Sequence, residues 1–259
     1  MALPNNPLDK FRLDGRTALV TGARREIGRA IAEALGAVGA RVAVHHLGNV
    51  EETRDADAVV AAIGGGAQAF AADFSQSGAA ESLAAEVTAA FGQVDILVLN
   101  ASVEILQPVG GIDRAAYDRQ MEINVWSTLA LLQALVPPMA VRGWGRVVTV
   151  GSVQQISPAA EMLVYAGYKA LQHNWAINLA RQYTAHGVTV NNLAPGIIGT
   201  ARNADQIAAR GEQMRARVPA GRIGRPDDLV GAALLLCSEA GSYISGANLY
   251  VDGGRAVNL

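Results

Sequence analysis

The sequence predicts a doubly wound α/β fold, a seven-stranded parallel sheet with helices on both faces. Three observations lead there. Short apolar runs bounded by turn signals alternate with longer segments of helical period along the whole chain. A strand–glycine–helix turn, Thr21 to Gly28, stands at the start of that alternation. The chain has 259 residues, of which 51% are hydrophobic and 17% charged, enough to bury one sizeable core.

Taken in order, the apolar runs predict strands at Thr17–Thr21, Arg41–His46, Gln68–Ala72, Ile96–Asn100, Arg146–Val150, Thr189–Ala194 and Asn248–Val251. The intervening helical periods predict helices at Ile27–Val38, Glu52–Ile63, Ala79–Phe91, Ala115–Val141, Glu161–His186, Ala204–Arg217 and Asp227–Cys237. Only Pro195–Arg225 breaks the rhythm, as a long excursion with a helix of its own that could cover a site. No linker or composition shift interrupts residues 1–259, so one domain is expected, with a covering loop and helix at about 196–222.

Composition excludes several functions. Lys and Arg number 21 against 23 Asp and Glu, interspersed, for a net charge of −2. Nothing there suggests nucleic acid or a membrane surface. Cys237 is the one cysteine, so no intrachain disulfide can form, and the four histidines have no metal-ligand spacing. No metal is expected. The first residues lack the apolar core of a secretory signal. Gln133, Pro137, Pro138 and Arg142 interrupt the best candidate for a membrane span. A soluble cytoplasmic protein is the expectation.

The turn Thr21-Gly22-Ala23-Arg24-Arg25-Glu26-Ile27-Gly28 suits a dinucleotide. Its glycines let backbone approach a pyrophosphate, and the helix N-terminus offers free N–H groups and a positive dipole end. Tyr165 and Lys169 lie one helical turn apart and share a face, whereas Tyr168 points about 100° away and is expected to pack. Ser152 stands 13 residues before Tyr165, just past a strand. A phenol can give a proton to a ketone oxygen, but its usual pKa near 10 makes it reluctant, so a nearby ammonium is expected to lower it. The Ser152 hydroxyl can donate to the substrate oxygen as charge develops there.

Together these residues resemble the short-chain dehydrogenase/reductase family, whose phosphate loop reads Thr-Gly-x-x-x-Gly-x-Gly. Gly22 and Gly28 match, and Glu26 replaces the middle glycine. Asn100 and Ala101 match the family's Asn-Asn-Ala-Gly, while Leu99 and Ser102 do not. The resemblance runs to Asp252-Gly253-Gly254 and implies a Rossmann fold of the 3-oxoacyl-reductase-like subgroup. It assigns Ser152, Tyr165, Lys169 and Asn124 to catalysis, Asn124 holding a relay water. It assigns Gly22, Arg24, Arg25, Ile27, Gly28, Asp73, Asn100, Ala101, Tyr165, Lys169, Pro195, Gly196, Ile198 and Thr200 to the cofactor. Asp73 would meet the adenine or simply serve a turn, and Thr200 would bond the carboxamide.

The second strand ends without an acid and Arg25 precedes the middle-glycine position, so NADP(H) is the expected cofactor, with NAD(H) as the alternative. Val103, Gln154, Gln155, Met162 and Ile197 are candidate pocket walls. The family also implies a small carbonyl or alcohol substrate and a homotetramer packed through the two long helices and the last strand. The rival readings are an NAD-dependent alcohol or polyol dehydrogenase and a non-catalytic dinucleotide sensor.

Overall fold

The computed structural model describes residues 6–257. Seven parallel strands form one sheet: β1 (Thr17–Val20), β2 (Arg41–His46), β3 (Gln68–Ala71), β4 (Ile96–Leu99), β5 (Gly145–Val150), β6 (Val188–Pro195) and β7 (Asn248–Val251). Their spatial order is β3-β2-β1-β4-β5-β6-β7. Every residue of β1, β4, β5 and β6 is buried, because helices cover both sheet faces; β1 and β4 accordingly read as near-continuous apolar runs, while β5 and β6 also bury Arg146, Thr149, Thr189, Asn191 and Asn192. The edge strands β3 and β7 are partly exposed and less apolar.

The described residues form eight α-helices: α1 (Glu26–Ala37), α2 (Val50–Ile63), α3 (Ala79–Phe91), α4 (Arg114–Met121), α5 (Ser127–Arg142), α6 (Leu163–Tyr183), α7 (Ala204–Ala216), which lies in the excursion after β6, and α8 (Val230–Cys237). One core gathers Ile31, Leu35, Val59 and Leu236 from α1, α2 and α8 against one sheet face. The other gathers Leu83, Val87, Leu131, Leu135, Met139 and Ala176 from α3, α5 and α6.

Differences from the sequence expectation have local causes. The helix expected over Ala115–Val141 is α4 and α5 joined by a π-helical turn, Glu122–Trp126, whose i→i+5 bonding hydropathy does not reveal. Asn49 caps α2 by accepting from Glu52 N, so α2 starts at Val50, ahead of Glu52. The helix over Glu161–His186 shortens to α6 followed by a 3₁₀ turn, and Pro226–Leu229 is a 3₁₀ turn ahead of α8. Arg210 kinks α7 (φ −137°, ψ 19°).

The run Arg114–Arg142 has the length of a membrane span, and its most apolar window reaches a mean hydropathy of 1.3. Half of that window is buried, α5 lying in the second core. Between β1 and β4 the winding reverses, and there loops leaving the carboxyl ends of the strands part to form a crevice.

Candidate active site

A cleft of about 480 Å³ opens at that reversal. Gly22, Arg24, Arg25, Ile27, Gly28, Asp73, Asn100, Ala101, Ser152, Tyr165, Lys169, Pro195, Gly196, Ile198 and Thr200 all line it. Asn124 does not; it lies fully buried behind the wall.

At one end, Gly22 turns the chain in the left-handed region (φ +64°), where glycine has no steric cost. Asn100 Nδ2 donates to Thr21 O and Gly22 O at 2.9 and 3.1 Å, tying β4 to the loop. A Cβ on Gly28 would stand 2.2 Å from Gly22 O, so only glycine lets α1 start against this turn. Gly22 N donates to His45 Nδ1 at 2.9 Å, while His45 Nε2 lies 2.9 Å from Ala72 O. That pairing requires the neutral Nε2–H tautomer, and burial lowers His45 to about 4.

Glu26 is the one non-glycine residue with positive φ (52°) among the described residues, and Ala201 N donates to its carboxylate. The side chain thus spans from the phosphate loop to the excursion after β6. Fit to a dinucleotide is supported by the glycine approach, the α1 N-terminus at the cleft and the exposed Arg25.

At the other end Ser152, Tyr165 and Lys169 converge. Gln154 N donates to Ser152 Oγ at 3.2 Å, which leaves the hydroxyl proton free for another acceptor. Lys169 Nζ donates to Val150 O at 2.6 Å and Gln172 Oε1 at 3.3 Å, and lies 5.8 Å from the Tyr165 ring centre. Burial brings Lys169 down to about 7, Arg202 pushing the same way and Glu104 opposing. Burial pushes Tyr165 up to about 12 and the Glu104 carboxylate adds to this, while Arg202 and Ser152 oppose it. The phenol is thus raised here rather than lowered as expected, with desolvation the first cause, and the Lys169 Nζ faces a carbonyl and an amide.

Other expectations also change. Both side-chain ends of Asn124 bind Val103, Oδ1 accepting from its N–H at 2.8 Å and Nδ2 donating to its C=O at 3.0 Å. The Asn124 backbone carbonyl accepts from Gln172 Nε2 at 2.8 Å, and Gln172 Oε1 accepts from Lys169 Nζ, so an amide also connects Asn124 to Lys169. Gln172 was missed; its place three residues after Lys169, on the same helix face, was the available signal.

Arg24 is already paired here, Glu52 and Asp55 each holding it at 2.8 Å. Thr200 N and Oγ1 both engage Asn203 Oδ1. Asp73 Oδ1 accepts from Ser75 N at 2.9 Å, serving a turn while facing the cleft. Tyr168 packs as expected, edge-on to Tyr165 with its hydroxyl donating to Val103 O at 3.0 Å. Of the wall candidates, Val103, Gln154, Met162 and Ile197 line the cleft; Gln155 instead accepts from Asn192 Nδ2 at 3.1 Å. Sequence reading also missed Glu104, Arg202 and Glu52, which only the fold brings to the cleft.

Comparison with known proteins identifies the family. The family model described as Enoyl-(Acyl carrier protein) reductase matches residues 22–256. The chain is 39% identical to a sorbitol dehydrogenase of Cereibacter sphaeroides, over 95% of this chain and 99% of that one. The solved 3-oxoacyl (acyl-carrier-protein) reductase of Agrobacterium tumefaciens C58, with NADP bound, superposes at a TM-score of 0.89 with 40% identity, covering 96% of this chain and 97% of that one. A gluconate 5-dehydrogenase of Burkholderia cenocepacia J2315, in complex with NADP and tartrate, does so at 0.90 with 31% identity, covering 97% and 99%. With a phosphate-loop turn and a Ser–Tyr–Lys cluster at opposite ends of one cleft, and these matches over nearly its whole length, the chain belongs to the short-chain dehydrogenase/reductase family of NAD(P)-dependent oxidoreductases.

Proposed function

We propose that the chain interconverts a ketone and a secondary alcohol by hydride transfer, with Tyr165 as acid and base. The observation that carries this is the meeting of Ser152, Tyr165 and Lys169 at one end of a cleft whose other end is a glycine turn fit for a pyrophosphate. When bound, the nicotinamide dinucleotide supplies or accepts the hydride. Gly22, Arg25, Ile27 and Gly28 would hold its phosphates, Asp73 its adenine, Asn100 and Ala101 its ribose side, Lys169 the second ribose. Pro195, Gly196, Ile198 and Thr200 would line the nicotinamide, Thr200 turning from Asn203 to do so.

In reduction, Tyr165 releases its phenolic proton to the substrate oxygen while the Ser152 hydroxyl donates a second hydrogen bond to it. A phenol near 12 is protonated at neutral pH and so is poised as donor. Lys169, with its ammonium near neutrality, can give up and regain a proton in the same range. Asn124 acts behind the wall, holding Val103 and, through Gln172, Lys169.

NADP(H) is the proposed cofactor, with NAD(H) also accepted. Arg25 supports this, as do solved neighbours described with NADP. A substrate bearing several hydroxyls is the second reading, favoured by Glu104 and Arg202, a carboxylate and a guanidinium lining the cleft alongside Tyr165. A cytoplasmic homotetramer completes the proposal; an apolar groove on α5 and α6, with Leu132, Val136, Trp175 and Leu179, supports the assembly. The test is a panel of ketones, polyols and aldonates followed by NAD(P)H absorbance. Turnover of at least one class with either cofactor is expected. Binding without turnover of any would favour a dinucleotide sensor.

A further inference from the structure

The adenosine end of the cleft already contains an anion. The Glu52 carboxylate, from the first turn of α2, folds back over the end of β2, where the sequence places no acid. Leu47 N donates to Glu52 Oε2 at 2.8 Å, and the Arg24 guanidinium meets Glu52 Oε1 at 2.8 Å. Both side chains are largely shielded, 12% exposed for Arg24 and 16% for Glu52. Asp55 holds the other nitrogen of Arg24 at 2.8 Å, and buried His46 completes the surroundings. Arg24, Glu52, His46 and Leu47 all line the cleft, as does Asp73.

A backbone N–H just past a strand, beside a guanidinium, is a donor set suited to a phosphate monoester. Here a carboxylate fills it. We propose that Glu52 is an internal stand-in for the cofactor's 2′-phosphate and sets the NADP(H)-to-NAD(H) affinity ratio of this chain. The inference rests on the dinucleotide reading of the cleft. With NAD(H), Glu52 stays in place and accepts from a ribose hydroxyl. With NADP(H), the incoming phosphate takes Leu47 N–H and Arg24, and Glu52 swings out toward solvent. A carboxylate left beside a phosphate at this shielded site is repulsive, so Glu52 lowers NADP(H) affinity selectively.

The test measures dissociation constants of NADPH and NADH by titration calorimetry on the full chain and two variants. Glu52→Gln keeps the shape and the acceptor for Leu47 N–H while removing the charge. It is expected to tighten NADPH by about tenfold or more, with NADH unchanged or weaker by about threefold. Arg24→Gln removes the cation and is expected to weaken NADPH by about tenfold more than NADH. If each variant moves both cofactors by the same factor, Glu52 acts only on loop structure and the proposal is overturned. If neither cofactor binds any of the three proteins, the dinucleotide reading itself fails, and the proposal with it. A changed ratio in both variants, in opposite senses, supports the stand-in role.

Discussion

Tyr165 gathers opposing influences within a few ångströms. Its phenol is carried up to about 12 by burial first and by Glu104 second. Alcohol oxidation needs the phenolate, so its rate should climb with pH; ketone reduction needs the phenol and should hold at neutral pH. Glu104→Gln removes an anion that disfavours the phenolate. The alkaline rise of oxidation should therefore move to lower pH, with reduction at neutral pH little changed; pH profiles in both directions check this. A profile that stays put or moves to higher pH would mean Glu104 does not act on Tyr165. At this scale the sequence was partly legible. Ser152, Tyr165 and Lys169 could be picked out because chain spacing reports helix faces. Glu104, Arg202 and Glu52 could not, since each comes to the cleft from a loop or helix start whose path spacing does not encode.

Among the elements, strands and helices were legible because burial on both faces imposes near-continuous apolar runs on β1 and β4 and shorter apolar stretches on β5 and β6. The π turn at Glu122–Trp126 was not legible, since it changes hydrogen bonding without changing hydropathy. Nor was the positive φ at Glu26, where the surroundings impose a conformation of order 1–3 kcal/mol in cost on a non-glycine residue. The start of α1 is the least tolerant junction. A methyl on Gly28 meets Gly22 O at 2.2 Å and Asn100 Nδ2 at 2.6 Å, so α1, the loop or β4 must shift. Gly28→Ala should cost about 1–3 kcal/mol in denaturant unfolding. It should also weaken both cofactors by about tenfold or more, as calorimetry would show. Unchanged binding would remove Gly28 from the cofactor site.

Over the whole molecule, two buried bases share one sign of linkage. His45 falls from 6.5 to about 4 and Lys169 from 10.5 to about 7 on folding. Between each pair of values the unfolded chain binds more protons than the folded one, so stability rises with pH through both windows. Acidification from pH 6.5 to 4 should therefore destabilise the fold, with His45 contributing on the order of 3 kcal/mol. Lys169→Met should raise the melting temperature most at pH 7 and below, the gain fading toward pH 10.5. Thermal melts across pH would check both; a Lys169→Met gain independent of pH would contradict the burial argument. Stability yielded at Lys169 is consistent with a residue kept for chemistry.

That chemistry is tested most directly by Tyr165→Phe, which removes one oxygen from a side chain only 8% exposed and keeps its packing. Calorimetric NADPH binding and turnover of the best substrate from the panel should be measured on the same preparation. The account predicts cofactor affinity within about threefold of the parent and turnover lower by about a thousandfold, the scale of losing an acid–base group. Turnover retained within about tenfold would contradict Tyr165 as the proton donor.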